Sequence, residues 1–137
     1  MFDAELDALF DAARAIRAKA YAPYSRYKVG AAIRADDGRI YAGCNVENAA
    51  YPVGTCAEAG AISAMIAGGA KRITAIAVIG STADICTPCG ACRQRIREFA
   101  DPHATIAMAS SDGKTGFIRT VDQILPLSFG PDHLPTS

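Results

Sequence analysis

Apolar side chains at Phe2, Leu6, Leu9, Phe10, Ala13, Ile16 and Ala20 recur at steps of three and four, which predicts an amphipathic helix over residues 2–20. The segment 21–25, with Pro23, ends it. Residues 27–35 then read as a strand, Asp36-Asp37-Gly38 as a hairpin turn, and 39–44 as the returning strand. A loop over 45–55 leads into a second helix at 56–67, closed by Gly68-Gly69. Gly60 inside that helix costs about 1 kcal/mol relative to alanine, which a close backbone contact would explain. The unbroken apolar run 73–80 has the character of a buried central strand. Thr87-Pro88 resembles an N-cap followed by proline at the first helical position, so a third helix is predicted over 88–99. Short strands at 105–109 and 116–119 flank the turn 111–114, a helical turn is predicted at 121–125, and 131–137 reads as a loose tail. Strands joined through helices imply partly parallel pairing, with helices on both faces of one sheet.

The chain has 137 residues, half of them apolar, and suits a single domain (1–137) with a substantial core. Formal net charge is zero and no basic stripe is present, which argues against a nucleic-acid partner. No apolar run approaches a membrane span and the acidic start is unlike a secretion signal, so no membrane partner is expected. The five cysteines, Cys44, Cys56, Cys86, Cys89 and Cys92, form an odd set with tight C-x-x-C spacing. That pattern points to metal ligation in a reducing cytoplasm rather than disulfides.

The candidate chemistry lies in Cys56-Ala57-Glu58 and Pro88-Cys89-Gly90-Ala91-Cys92. Three thiols near two helix starts suit one tetrahedral Zn²⁺ per chain, and three ligands leave a corner at which water can be activated. Cys89 and Cys92 share a helix face, and helix N-termini favour thiolates. Glu58, two residues past the first ligand, is placed to carry that water's protons. Cys86 remains open as a fourth ligand of a purely structural site, or as a small buried apolar side chain. Read by itself, Glu58 is an ordinary first-turn carboxylate; beside a ligand it is a candidate catalytic group. The spacing matches the three-cysteine signature of zinc-dependent base deaminases.

Further stretches carry a closer likeness: Tyr24-Ser25-Arg26-Tyr27-Lys28-Val29-Gly30-Ala31-Ala32, Asn45-Val46-Glu47-Asn48-Ala49-Ala50-Tyr51, Thr87-Pro88-Cys89-Gly90-Ala91-Cys92-Arg93-Gln94 and Ile124-Leu125-Pro126-Leu127-Ser128-Phe129. With these the chain resembles the small zinc-dependent cytidine deaminases, the nucleoside branch of the deaminases, which includes blasticidin-S deaminases. The resemblance implies an α/β fold, a three-layer α/β/α sandwich around a five-stranded mixed sheet, and usually a homotetramer. It implies Cys56, Cys89 and Cys92 on zinc and Glu58 as proton shuttle in hydrolysis of cytidine or 2′-deoxycytidine to uridine or 2′-deoxyuridine. Asn45 and Glu47 would hold the ribose 3′-hydroxyl, and Tyr27 fills a position that packs on the pyrimidine. Backbone groups at Ala57 and Thr87 would meet the base edge, while Tyr51 and Phe129 would reach a neighbouring subunit's ligand. A carboxylate at 47 would repel phosphate, which favours a free pyrimidine nucleoside over a nucleotide or nucleic acid. On local chemistry alone Asn45 and Asn48 shape a turn and Glu47 is a solvated carboxylate, while Tyr27 equally suits a strand aromatic and Phe129 a C-terminal anchor.

The likeness breaks after Glu58. The family's tetrameric members continue with Arg-Thr, whose arginine bonds the zinc thiolates; here Ala59-Gly60 follows. Helix dipoles or another cation, with Arg93 as a candidate, would have to compensate. The departure leaves two alternatives in view: deamination of another aminopyrimidine nucleoside such as blasticidin S or a modified cytidine, and a non-catalytic zinc-stabilised binding module.

Overall fold

The computed structural model describes residues 2–135. Its elements in chain order are α1 (Ala4–Arg17), β1 (Gly30–Ala35), β2 (Ile40–Cys44), α2 (Ala57–Ala67), β3 (Ile73–Ile79), α3 (Gly90–Phe99), β4 (Ala100–Ala109), β5 (Gly116–Thr120) and the short α4 (Val121–Ile124). The five strands form one sheet in the order β2-β1-β3-β4-β5. Only β3 and β4 run parallel, joined through α3; the other neighbours are antiparallel. This is the mixed α/β/α sandwich that the resemblance implied.

Strand alternation divides the core into two layers. Ala32, Ala77, Ala107 and Ala109 line one face, where Leu6, Leu9 and Phe10 of α1 pack. Ile33, Ile76, Val78, Ile106 and Met108 line the other, against Ile62 and Met65 of α2 and Ile96 of α3. Small strand residues under α1 leave room for the helix's own bulky stripe, so both layers reach close packing. The α1 start is fixed by Asp3, whose carboxylate accepts from Leu6 N at 2.9 Å.

Four expectations change in detail. The first strand begins at Gly30 rather than 27, because Arg26 adopts a left-handed φ of 60° and turns the chain before pairing starts. Strand β4 begins at Ala100 rather than 105. Ala100 pairs with Ile73, and the register then shifts before Ala75 meets Thr105, so the polar Asp101-Pro102-His103 stretch that hid this strand in the sequence sits at an irregularity. Thr87-Pro88 does not cap α3; Cys89 does, accepting from Cys92 N through its sulfur. The C-terminal segment is anchored through residue 134: Pro131–His133 forms a single helical turn, and Asp132 pairs with Arg97 at 2.8 Å. The last two positions of the tail, 136 and 137, lie outside the described residues.

The close backbone contact expected at Gly60 falls on Gly43 instead, since a Cβ on Gly60 would meet only ordinary contacts. Helix α2 crosses β2 at Gly43, whose Cα lies 3.5 Å from where a Gly60 Cβ would stand. Gly43 is the tighter partner: a Cβ there would lie 2.5 Å from the Gly60 carbonyl carbon and 2.6 Å from the Ala57 oxygen. That crossing seats the start of α2 at the end of the sheet where β2, β3 and β4 finish, since Cys44, Gly30, Ile79 and Ala109 are in register there.

Candidate metal centre and nucleoside cleft

At that end of the sheet, two helix starts bring three sulfurs together. Cys56 is the N-cap of α2, Cys89 the N-cap of α3, and Cys92 sits in the first turn of α3. Their Sγ atoms all lie within 4.8 Å of one another. One tetrahedral ion with sulfur bonds of about 2.3 Å fits that spacing, and soft thiolates favour zinc over hard cations. Among the described residues no fourth Cys, His, Asp or Glu joins this group. Cys86 stands apart from it: its side chain lies beside the Tyr27 hydroxyl next to Gly80 and forms part of the cleft wall.

The thiols are tuned unequally. Burial, followed by the charges of Glu58 and Cys56, pushes the Cys92 thiol far above its ordinary range. Burial likewise raises Cys56. At Cys89 burial is again the largest influence, but the Cys92 amide and the neighbouring thiols outweigh it and bring the thiol below its ordinary value. A divalent ion supplies the remaining drive toward thiolates when it binds.

Glu58 is buried, at 4 % exposure, against this cluster. Burial raises its carboxyl above the usual glutamate range, offset in part by its own backbone amide, then by the neighbouring Cys92 thiol and the charge of Arg95. A first-turn glutamate that faces inward onto thiols is not a solvated dipole partner. Its setting is that of a group that exchanges protons.

A cleft of about 580 Å³ opens over the site, and its wall includes Cys56, Ala57, Glu58, Cys86, Thr87 and Cys89 on the metal side. The lining also includes Tyr24, Ser25, Val29, the segment Asn45–Asn48 and the exposed Tyr51. Asn45 bridges two stretches of backbone: its Nδ2 donates to Tyr27 O and its Oδ1 accepts from Val29 N, both at 2.8 Å. Glu47 accepts from the Tyr24 and Ser25 amides at 3.0 and 3.1 Å and from the Ser25 hydroxyl. The Ser25 hydroxyl is the main reason its carboxyl lies below the usual range. Both side chains thus hold the cleft wall while retaining unused bonding capacity.

Of the residues singled out in the sequence, Cys56, Glu58, Cys89, Asn45, Glu47, Ala57, Thr87 and Tyr51 line the cleft. Cys92 lies beneath it with the other sulfurs. Tyr27 and Phe129 are not in its wall. The Tyr27 ring turns under it toward Gly80, where its hydroxyl meets Cys86. Phe129 stacks on His133 with centroids 5.4 Å apart, and its carbonyl accepts from Gln94. The sequence reading missed Arg95, whose Nη1 lies 3.5 Å from Cys92 Sγ. Its spacing of three from Cys92 on one helix was the available signal. Arg93 is not the compensating cation; it donates to Pro88 O and Ile124 O at 2.8 and 2.9 Å.

A trithiolate site with a buried carboxylate beside it, open to a cleft, defines a mononuclear zinc hydrolase of the deaminase class. The family model for the cytidine and deoxycytidylate deaminase zinc-binding region matches residues 4–108, and the chain belongs to that family. A cytidine deaminase from Sporosarcina psychrophila is 38 % identical over 130 residues, covering 95 % of each chain. The crystal structure of cytidine deaminase from Burkholderia pseudomallei superposes with a TM-score of 0.85 at 42 % identity, covering 90 % of this chain and 98 % of that one. The Mycobacterium leprae cytidine deaminase structure gives 0.79 at 41 % identity, with 90 % and 99 % covered. Among the described residues no helix is long and apolar enough to cross a membrane.

Proposed function

We propose that this chain, acting as one domain, hydrolyses cytidine and 2′-deoxycytidine to uridine and 2′-deoxyuridine with release of ammonia. The observation that carries the reading is the buried Glu58 carboxylate set against the three-sulfur cluster at the floor of the cleft. Cys56, Cys89 and Cys92 would hold one Zn²⁺. When bound, that ion makes a water acidic enough to supply hydroxide near neutral pH.

Glu58 takes the proton of the attacking water and delivers it to the pyrimidine N3. It then carries a second proton to the departing amino group, so that atoms and charge balance: water adds at C4, ammonia leaves, and a carbonyl remains. Burial that raises the carboxyl's proton affinity suits a group that must hold a proton between these transfers. Ala57 and Thr87 present backbone to the base edge, and Asn45 and Glu47 take the ribose 3′-hydroxyl with their remaining bonding capacity. A carboxylate at this place disfavours a 3′-phosphate, which supports free nucleosides over nucleic acid. The exposed apolar side chains Tyr51, Val53, Leu127 and Phe129 support a homotetramer in which Tyr51 and Phe129 meet a neighbour's ligand. The free thiols support a reducing, cytoplasmic setting for pyrimidine salvage.

The test is loss of ultraviolet absorbance on adding cytidine, 2′-deoxycytidine or blasticidin S to zinc-loaded protein. Cytidine and deoxycytidine turn over, and a chelator abolishes it. Glu58→Gln keeps zinc while kcat falls by about 10²–10⁴-fold. Turnover of blasticidin S alone moves the assignment to another aminopyrimidine, and metal-replete protein inert toward the whole panel makes it a binding module.

A further inference from the structure

The charge balance of the metal site points to a residue outside the cysteine motifs. Three thiolates around a dication leave one net negative charge, and the Glu58 carboxylate lies against them. The α2 start that carries Cys56 and Glu58 brings no basic residue, since Ala59 and Gly60 follow. Arg93 is spent on two backbone carbonyls. Arg95 lies one helical turn beyond Cys92 and donates from Nη1 to its sulfur at 3.5 Å. Among the described residues it is the side-chain cation whose hydrogen bond reaches a sulfur of the cluster.

We propose that Arg95 supplies the counter-charge of the metal site from α3, acting through the Cys92 sulfur; this rests on the zinc reading above. Arg95 is a positioning residue, since it touches a ligand and not the substrate. Loading the site replaces three neutral thiols by a cluster of charge −1, so a nearby cation favours the loaded form. A hydrogen bond to Cys92 also draws electron density from that sulfur, which leaves the metal more electron-poor. The guanidinium is exposed, so salt weakens the charge effect while leaving the bond in place.

The experiment measures zinc affinity by competition with a chromogenic chelator for the full chain, Arg95→Gln and Arg95→Lys, at low and high salt. It also records the sulfur-to-metal charge-transfer band of each protein loaded with Co²⁺. We expect Arg95→Gln to bind zinc about tenfold more weakly at low salt. The gap narrows at high salt, the cobalt band moves to lower energy, and Arg95→Lys recovers part of the affinity. Equal affinity in all three proteins, or an unmoved band in Arg95→Gln, overturns the proposal. Wild-type protein that takes up no zinc rejects the metal reading and this inference together, whereas equal, tight binding rejects Arg95 alone.

Discussion

Glu47 shows how one side chain can serve the fold and the site together. Its carboxylate accepts two amides and a hydroxyl from Tyr24 and Ser25, which holds the turn that leads into the left-handed Arg26. The Ser25 hydroxyl bond leads the causes that lower its pKa, so the contribution of these bonds is fully present above the unfolded glutamate value. It is lost as pH falls through the lower folded value. The Tyr24 and Ser25 amide resonances should therefore titrate with a midpoint below that of a free glutamate, and Glu47→Gln should abolish the transition. Cys86 makes the complementary case. Its distance from the sulfur cluster predicts that Cys86→Ala retains one zinc per chain by metal analysis, while Cys92→Ala loses it. The thiol spacing could be read along the chain. The roles of Cys86 and Tyr27 could not, because their partnership depends on Gly80 leaving room beneath the cleft.

Among the elements, α2 is the one whose placement the site depends on most. It approaches β2 closely enough that Gly43 has no space for a side chain, whereas a methyl on Gly60 meets only ordinary contacts from 3.5 Å outward. Gly43→Ala should destabilise the protein by about 1–3 kcal/mol and disturb zinc uptake. Gly60→Ala should be neutral or stabilising by up to about 1 kcal/mol, through helix propensity. Denaturant unfolding of the two variants separates these outcomes. Helix α1, strand β3 and both hairpin strands could be read from periodicity and turn chemistry, which act over a few neighbouring residues. The start of β4 could not be read, because pairing of Ala100 with Ile73 overrides a polar, proline-containing stretch. The α3 cap went to Cys89 rather than Thr87 for a related reason: a sulfur that faces the cluster also satisfies the Cys92 amide.

For the whole molecule, the consequence is that one ion ties the starts of two helices that pack on the same face of the sheet. Zinc bridging the starts of α2 and α3 binds the native state and little of the unfolded one. With free zinc about a hundredfold above its dissociation constant, linkage adds about 2.7 kcal/mol. Chelation should lower Tm by about 10 °C for a domain of this size, read by calorimetry with and without chelator. A melt unmoved by chelation would falsify the claim that the ion joins the two helix starts.

The amino-acid sequence by itself determined the helices and most strands, the three sulfur ligands and the carboxylate beside them, because periodicity, turn chemistry and ligand spacing are local. The tertiary structure decided that Glu58 faces inward, that Cys86 stays off the metal cluster and that Arg95 rather than Arg93 meets a thiol. Those outcomes follow from where separate elements converge at one end of the sheet, where burial, bonding and charge are set by neighbours distant along the chain.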